Sequence, residues 1–447
     1  MDNKTIYALS TVLGKSGVAV IRISGKDAFS VFDKMTTLKS TDIVVRKMYF
    51  TPVVDSVSRE TLDNCLVVGF RTPFSFTGED TVEINCHGSK AVIRSLLNAL
   101  SQLPDFRLAE PGEYSRRAFY NGKMDLTEAD GLADLIDAET ALQQKVALQQ
   151  MGGALFSLYQ DWREQLVSTL SYIEAYVDFP DENIPQNVVE QIENGVFKIK
   201  EEIKKHLENN KIEERLRDGF KVVIAGPTNA GKSSLINAVA KRNVAIVSDI
   251  AGTTRDVIEA YIDLKGFPVV LTDTAGLREA KDEIEQIGIQ LAKEKIDEAE
   301  FKIFMFDGEK DEPRLFDDYI NKTADNYLLV ANKSDKLSSS RQAELQAKNC
   351  ILVSVKQNQN IDVVTETLYQ YFNNLYDKSS AQLITRQRYR ESLFECVENL
   401  ERVSLDKEIE LAAEDIRLAC RAIGKITGQV EVDEILDKIF SSFCIGK

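Results

Sequence analysis

The sequence predicts a multi-domain fold of mixed α/β and α class. An α/β unit is inserted into a discontinuous helical domain, and an α+β domain precedes both. Three observations predict this. Residues 219–377 carry short apolar runs that end in glycine- or aspartate-bearing loops, the first of them leading into a helix. Residues 119–218 and 378–447 are helical in periodicity, each with an apolar face it cannot bury alone. Residues 1–118 mix strand and helix patterns.

At 447 residues the chain should hold about three domains. No apolar run approaches the roughly 18 residues of a membrane span, and Met1–Ser10 lacks the form of a signal peptide. The six cysteines are scattered without the paired spacing of a zinc site or a disulfide framework, which fits a reduced cytoplasm. A net charge of −16 argues against indiscriminate nucleic-acid binding, because neutralising phosphates takes Lys and Arg. An RNA partner therefore needs a local basic patch or a second protein.

In the first domain, Val18–Ile23, Asn64–Phe70 and Thr81–Cys86 read as strands, and Lys90–Leu103 as a helix that stops before Pro104. Arg22 falls near a strand end, Thr77–Asp80 forms a turn, and His87-Gly88 is expected after a strand. By residue type alone these loop positions are ordinary turn chemistry. From Asp125, a helix cap, the pattern is helical through Tyr176. Phe179–Pro185 breaks it, and a charged helix over Asn187–Leu216 leads on.

The third domain opens with the strand Phe220–Ala225 and the loop Gly226-Pro227-Thr228-Asn229-Ala230-Gly231-Lys232-Ser233. Ser234 then begins a helix. Strand, glycine-bounded loop and helix are the context of a phosphate-binding loop. Its amides turn onto a polyphosphate, Lys232 reaches the β- and γ-phosphates, and Ser233 holds Mg²⁺. Asp273-Thr274-Ala275-Gly276 ends the next apolar strand; Asp273 backs the Mg²⁺ and the Gly276 amide meets the γ-phosphate. Asn332-Lys333-Ser334-Asp335 ends another, and the Asp335 carboxylate can accept from both nitrogens that guanine offers and adenine lacks. Ser354-Val355-Lys356 closes a third strand and backs the base. Four such stretches in this order predict a Ras-like P-loop GTPase.

Turnover is the open question. Leu277 stands where Ras-type enzymes use a glutamine to orient water. The loop from Leu277 to Glu285 is rich in carboxylates, one of which can act on water instead. Ser248-Asp249-Ile250-Ala251-Gly252-Thr253-Thr254 is the candidate first switch, with Thr254 completing the Mg²⁺ shell. Asn229 either completes a monovalent-cation site or simply stabilises its loop. In the last domain, Leu383–Leu405 and Glu408–Phe443 are helical, with Gly424 and Gly428 as joints. Arg116, Arg117, Arg386, Arg388 and Arg390 are candidates for RNA phosphates or parts of a solvated face. Cys444 in Cys-Ile-Gly-Lys is followed by a glycine where a prenylation signal has its second aliphatic residue and by an unsuitable last lysine, and by residue type it can equally be a buried structural thiol.

Together the Asn-Ala-Gly-Lys-Ser loop, Asp-Ile-Ala-Gly-Thr-Thr-Arg-Asp, Asp-Thr-Ala-Gly-Leu-Arg and the terminal Phe443-Cys444-Ile445-Gly446-Lys447 resemble the MnmE (TrmE) family of bacterial tRNA-modifying GTPases. The resemblance spans the chain, including Gly17–Gly25, Thr77–Asp80 and Asn121–Lys123. It implies an N-terminal dimerisation domain like tetrahydrofolate-binding domains (1–118), helical halves (119–218 and 378–447) and an inserted GTPase (219–377). It implies work with the flavoprotein MnmG, as a heterotetramer, on certain tRNAs. The product carries an aminomethyl or carboxymethylaminomethyl group at carbon 5 of the wobble uridine. By position, Arg22, Glu79, Lys123 and Lys447 match folate-binding residues, for 5,10-methylene- or 5-formyl-tetrahydrofolate. Asn229 matches the side-chain potassium ligand; Ser248, Ile250 and Thr253 match its backbone ligands. Ser233 and Thr254 match the Mg²⁺ ligands, Glu285 the hydrolytic glutamate, and Arg278 a residue that orders the switch loop. Cys444 would lie near the folate and serve tRNA modification. Ser248 for Thr, Val355 for Ala and Ser89 for Gly depart from the family pattern. A regulatory ribosome-assembly GTPase and a folate-binding scaffold with a vestigial GTPase are the rival readings.

Overall fold

A computed structural model describes residues 3–178, 186–208, 212–243, 259–274, 294–321, 326–377, 386–405, 409–430, 436, 439–441, 443 and 446. The break expected over Phe179–Pro185 lies outside them. The chain forms two compact units, one of Met1–Ala133, Phe156–Gln160 and Ile423–Lys447, the other of Asp134–Leu155 and Asp161–Ala422.

The first unit is built on a six-stranded sheet of β1 (Thr5–Leu9), β2 (Ser16–Ser24), β3 (Tyr49–Val54), β4 (Thr61–Phe70), β5 (Thr81–Gly88) and β6 (Phe106–Leu108). Its order is β3-β4-β5-β2-β1-β6, antiparallel except for the parallel β1–β6 pair. Along β2, Ala19, Ile21 and Ile23 are buried while Val20 and Arg22 are only partly covered, the alternation expected of a sheet with one packed face. The helix Lys90–Ser101 closes that face with Ile93, Leu96 and Leu100, and the Ser89 hydroxyl caps it by accepting from the Ala91 amide. All three expected strands fall within β2, β4 and β5.

One expectation is corrected. His87 and Gly88 are not past the strand but are its last residues. Gly88 pairs with Ser16 so closely that a Cβ would lie 1.9 Å from the Ser16 hydroxyl, so glycine alone lets the ladder run on. Asp125 caps the helix Leu126–Asp137 as expected: its Oδ1 accepts from the amides of Thr127 and Glu128, and Glu128 accepts from the Asp125 amide. Leu126 and Ala129 of that helix pack with Leu436, Ile439, Phe440 and Phe443.

In the second unit β7 (Phe220–Ala225), β8 (Glu259–Leu264), β9 (Phe267–Asp273), β10 (Phe301–Asp307), β11 (Tyr327–Asn332) and β12 (Cys350–Leu352) form a sheet of order β12-β11-β10-β7-β9-β8. Only β8 runs antiparallel to its neighbour. The central β10 is buried at every residue, as a strand covered on both faces must be. Val222, Ile224, Ile303 and Met305 point to one core, and Val223, Ala225, Phe304 and Phe306 to the other. Phe220 begins β7, and its ring packs, tilted, with its centroid 4.4 Å from that of Phe372 in the closing helix Ile361–Asp377. The start and end of this α/β region are thus neighbours, the geometry an inserted domain requires.

Helices from before and after that region pack together. Lys204 of Gln186–Glu208 pairs with Glu401 of Gln387–Arg402 at 2.6 Å, and Arg390 donates to the Leu207 carbonyl at 3.2 Å. Within the charged span expected to be helical over Asn187–Leu216, the described residues form the helices Gln186–Glu208 and Ile212–Asp218, and residues 209–211 lie outside them. Gly424 is no joint, because it lies inside the helix Ile409–Thr427. Its carbonyl accepts from the amides of Gly428 and Gln429, so the helix ends at Gly428, whose φ is +80°.

Candidate functional site

The phosphate loop leaves β7 and enters the helix Lys232–Arg242. Gly231 has φ +101°, and a Cβ there would lie 2.3 Å from Asn332 Nδ2. Ala230 is buried beneath the loop, while Asn229 is exposed with φ +66°. Among the described residues the Asn229 side chain has no hydrogen-bond partner. Lys232 is buried; its Nζ donates to the Gly226 and Pro227 carbonyls at 3.1 and 3.2 Å. Burial pushes its pKa down, opposed by Asp273, whose Oδ1 is 3.8 Å away. Ser234 sits exposed in the first turn of the helix.

Ser233 Oγ donates to Asp273 Oδ2 at 2.5 Å. The other oxygen, Asp273 Oδ1, is buried and accepts no hydrogen bond among the described residues. A serine hydroxyl beside an orphaned buried carboxylate oxygen fits a hard divalent cation with its water shell. Thr274 is buried and donates to the Ile224 carbonyl from both its amide, at 3.2 Å, and its hydroxyl, at 3.1 Å, which fixes the end of β9 against β7.

At the base end, the buried Asn332 side chain donates to the Ala230 carbonyl at 2.7 Å and accepts from the Val355 amide at 3.2 Å. Lys333 has φ +63° and pairs with Asp307 at 2.6 Å. The buried Ser354 hydroxyl donates to Asp335 Oδ1 at 2.5 Å and holds that carboxyl below its usual range. Val355 is half-buried and Lys356 exposed beside them. Phosphate loop, Asp273 and base-binding turn therefore converge at the C-terminal ends of β7, β9 and β11, where ligands of open α/β sheets bind.

In the first unit, Arg22 pairs with Glu83 at 2.9 Å and lies over the rings of Phe76 and Tyr114, at 5.3 and 5.8 Å. The Glu79 carboxylate accepts from Ser24 Oγ at 2.8 Å and pairs with Arg117 at 3.1 Å. Lys123 Nζ donates to the Pro73 carbonyl at 2.9 Å. Arg22, over Phe76, and Lys123, beside Gly78, thus flank the turn Phe76–Asp80 that carries Glu79. Ser248, Asp249, Ile250, Ala251, Gly252, Thr253, Thr254, Ala275, Gly276, Arg278, Glu285, Cys444 and Lys447 lie outside the described residues.

A family model described as GTP-binding protein TrmE N-terminus matches residues 5–123, and one described as MnmE helical domain matches 126–444. The protein named tRNA modification GTPase MnmE from Rickettsia rickettsii (strain Sheila Smith) is 45% identical over 446 residues, 99% of this chain and 100% of the relative. The protein of that name from Rickettsia prowazekii (strain Madrid E) is 44% identical, with the same coverage of both chains. The chain belongs to the MnmE family. As an MnmE-family member it is a P-loop GTPase with an N-terminal TrmE domain and a helical domain. Among the described residues no helix is long and apolar enough to cross a membrane.

Some contacts at these sites are not announced by the sequence. That of Asp307, buried at the end of β10, is one; an apolar run closing in an acid was its only signal. The structure corrects Arg117 as a candidate for RNA phosphates or part of a solvated face. It is 3% exposed, donates to Glu113 at 2.9 Å and to the Lys4 carbonyl at 3.0 Å, and braces Glu79. Arg386 pairs with Asp134 at 2.6 Å and Arg390 with a backbone carbonyl, so neither is a loose surface cation. Ser89 serves as a helix cap.

Proposed function

We propose that the chain is a potassium-dependent GTPase that acts with the flavoprotein MnmG on tRNA. Together they form the aminomethyl or carboxymethylaminomethyl group at carbon 5 of the wobble uridine. The observation that carries this reading is the single constellation of Lys232, Ser233, Asp273, Asn332 and Asp335, in a chain that aligns over 99% of its length with proteins named tRNA modification GTPases.

Guanine is selected by Asp335, which Ser354 keeps ionised and oriented as a double acceptor. Loop amides and the helix start at Lys232 bind the phosphates, and the Lys232 ammonium stays between loop and γ-phosphate. Ser233 and Thr254 hold Mg²⁺ with Asp273 behind; the ion neutralises charge on the β- and γ-phosphates. Leu277 cannot orient water, so Glu285 takes that part, with Arg278 ordering its loop. Asn229 and the carbonyls of Ser248, Ile250 and Thr253 hold K⁺, which supplies the positive charge an arginine finger brings elsewhere. Arg22, Glu79, Lys123 and Lys447 bind 5,10-methylene- or 5-formyl-tetrahydrofolate as one-carbon donor, with Cys444 beside it. The domain limits 1–118, 119–218, 219–377 and 378–447, a cytoplasmic homodimer and a heterotetramer with MnmG complete the reading.

The test is nucleoside analysis of tRNA from cells that lack the gene or carry only Lys232→Ala. Loss of the modified wobble uridine in both supports the proposal. Unaltered uridines in the deletion would favour a ribosome-assembly regulator, and loss in the deletion alone a folate scaffold.

A further inference from the structure

Asp307 ends β10 directly opposite Asn332 of β11, and the Gly308 amide donates to the Asn332 carbonyl at 3.0 Å. Its side chain is 8% exposed. Oδ2 meets Lys333 Nζ at 2.6 Å, and Oδ1 accepts from the Glu309 amide at 3.1 Å. Burial pushes this carboxyl up, but the hydrogen bond from Lys333 and the amide outweigh it and hold its pKa below the usual range. The pair is thus an ion pair at neutral pH.

The loop after Asp307 does not depend on that ion pair for its shape. The Asp307 carbonyl accepts from the amides of Lys310 and Asp311, and Asp311 accepts in turn from the Asp307 amide. Arg341 ties the Gly308 and Asp311 carbonyls from outside, at 3.2 and 2.8 Å. Oδ2 instead holds the ammonium of Lys333, a non-glycine residue in the left-handed region, where L side chains are disfavoured, and whose carbonyl accepts from the Lys336 amide at 2.9 Å. Lys333 stands between Asn332, which grips the phosphate loop, and Asp335, which faces the base. A displacement at Lys333 therefore moves both neighbours.

We propose that Asp307 is a positioning residue for guanine recognition. By anchoring Lys333 it sets the turn that aims Asp335 at the two base nitrogens. The inference rests on the guanine-site reading above. An anchored carboxylate rewards the 2-amino group of guanine, whereas a drifting one rewards guanine and hypoxanthine alike.

The experiment is calorimetric titration of the full chain with GDP, IDP and ADP, for the wild type, Asp307→Asn, Asp307→Glu, Lys333→Ala and Asp307→Asn with Lys333→Ala. Asp307→Asn keeps the side-chain shape, and a thermal scan of each variant checks the fold. Expected are a loss of about tenfold in GDP affinity for Asp307→Asn, a smaller loss for IDP, and partial recovery in Asp307→Glu. In the double variant the Asp307 change should add nothing to Lys333→Ala. Equal losses for GDP and IDP, or additive effects, overturn the inference and leave a merely structural ion pair. If the wild type fails to prefer GDP over ADP, the guanine-site reading itself has failed.

Discussion

Asn332 Nδ2 donates to the Ala230 carbonyl at 2.7 Å, joining the base-binding turn to the phosphate loop across 102 residues of sequence. Because Asn332 Oδ1 also takes the Val355 amide, one buried amide side chain holds three loops together.

Asn332→Ala strands the Ala230 carbonyl and the Val355 amide in a dry setting. The buried Ala230 loss costs about 1–3 kcal/mol and the part-buried Val355 loss less; with about 1.4–2.8 kcal/mol of this felt at the site, GDP affinity should fall by roughly ten- to a hundredfold. Calorimetric titration checks it; unchanged affinity would mean that the loops hold each other without this bridge.

Gly231→Ala should abolish GDP binding while leaving the fold. Its Cβ would fall 2.3 Å from Asn332 Nδ2 at a φ of +101°, so either the loop or the bridge must shift. Circular dichroism alongside nucleotide titration separates loss of binding from loss of fold.

His206 gives stability a pH dependence. It is 7% exposed and lies against Trp162 at 5.5 Å. Burial, with Arg390 nearby, lowers its pKa to about 4 from the ordinary 6.5. The unfolded chain then takes up a proton before the folded one does. Stability present above about pH 6.5 is lost as pH falls towards 4, by about 3 kcal/mol in all. In urea titrations across that window, His206→Gln should reduce the slope by up to one proton. An unchanged slope would place the titration elsewhere.

Glu79→Gln should raise the Kd for 5-formyl-tetrahydrofolate about tenfold without altering GDP affinity. Fluorescence titration of the full chain with each ligand reads both. Equal folate affinity would remove Glu79 from that site.

The strands of the nucleotide unit were legible because burial on both faces demands unbroken apolar runs such as Phe220–Ala225 and Tyr327–Ala331. The loops between them were legible because phosphate and guanine leave few residue types suitable. What stayed hidden depends on contacts far apart in sequence. Nothing near Asp307 announces Lys333 as its partner, and nothing near Arg117 announces its burial against Glu79 and Glu113. The extension of β5 through Gly88 is hidden in the same way, being set by Ser16 on another strand.

The measurement that tests the account most directly is steady-state GTP turnover by the full chain in equimolar KCl and NaCl, with Glu285→Ala in parallel. With Leu277 unable to orient water, turnover should be faster in KCl by at least about tenfold. Glu285→Ala should bind GTP normally yet hydrolyse it slowly in either salt. Equal rates in the two salts, with Glu285→Ala at the wild-type rate, would contradict it.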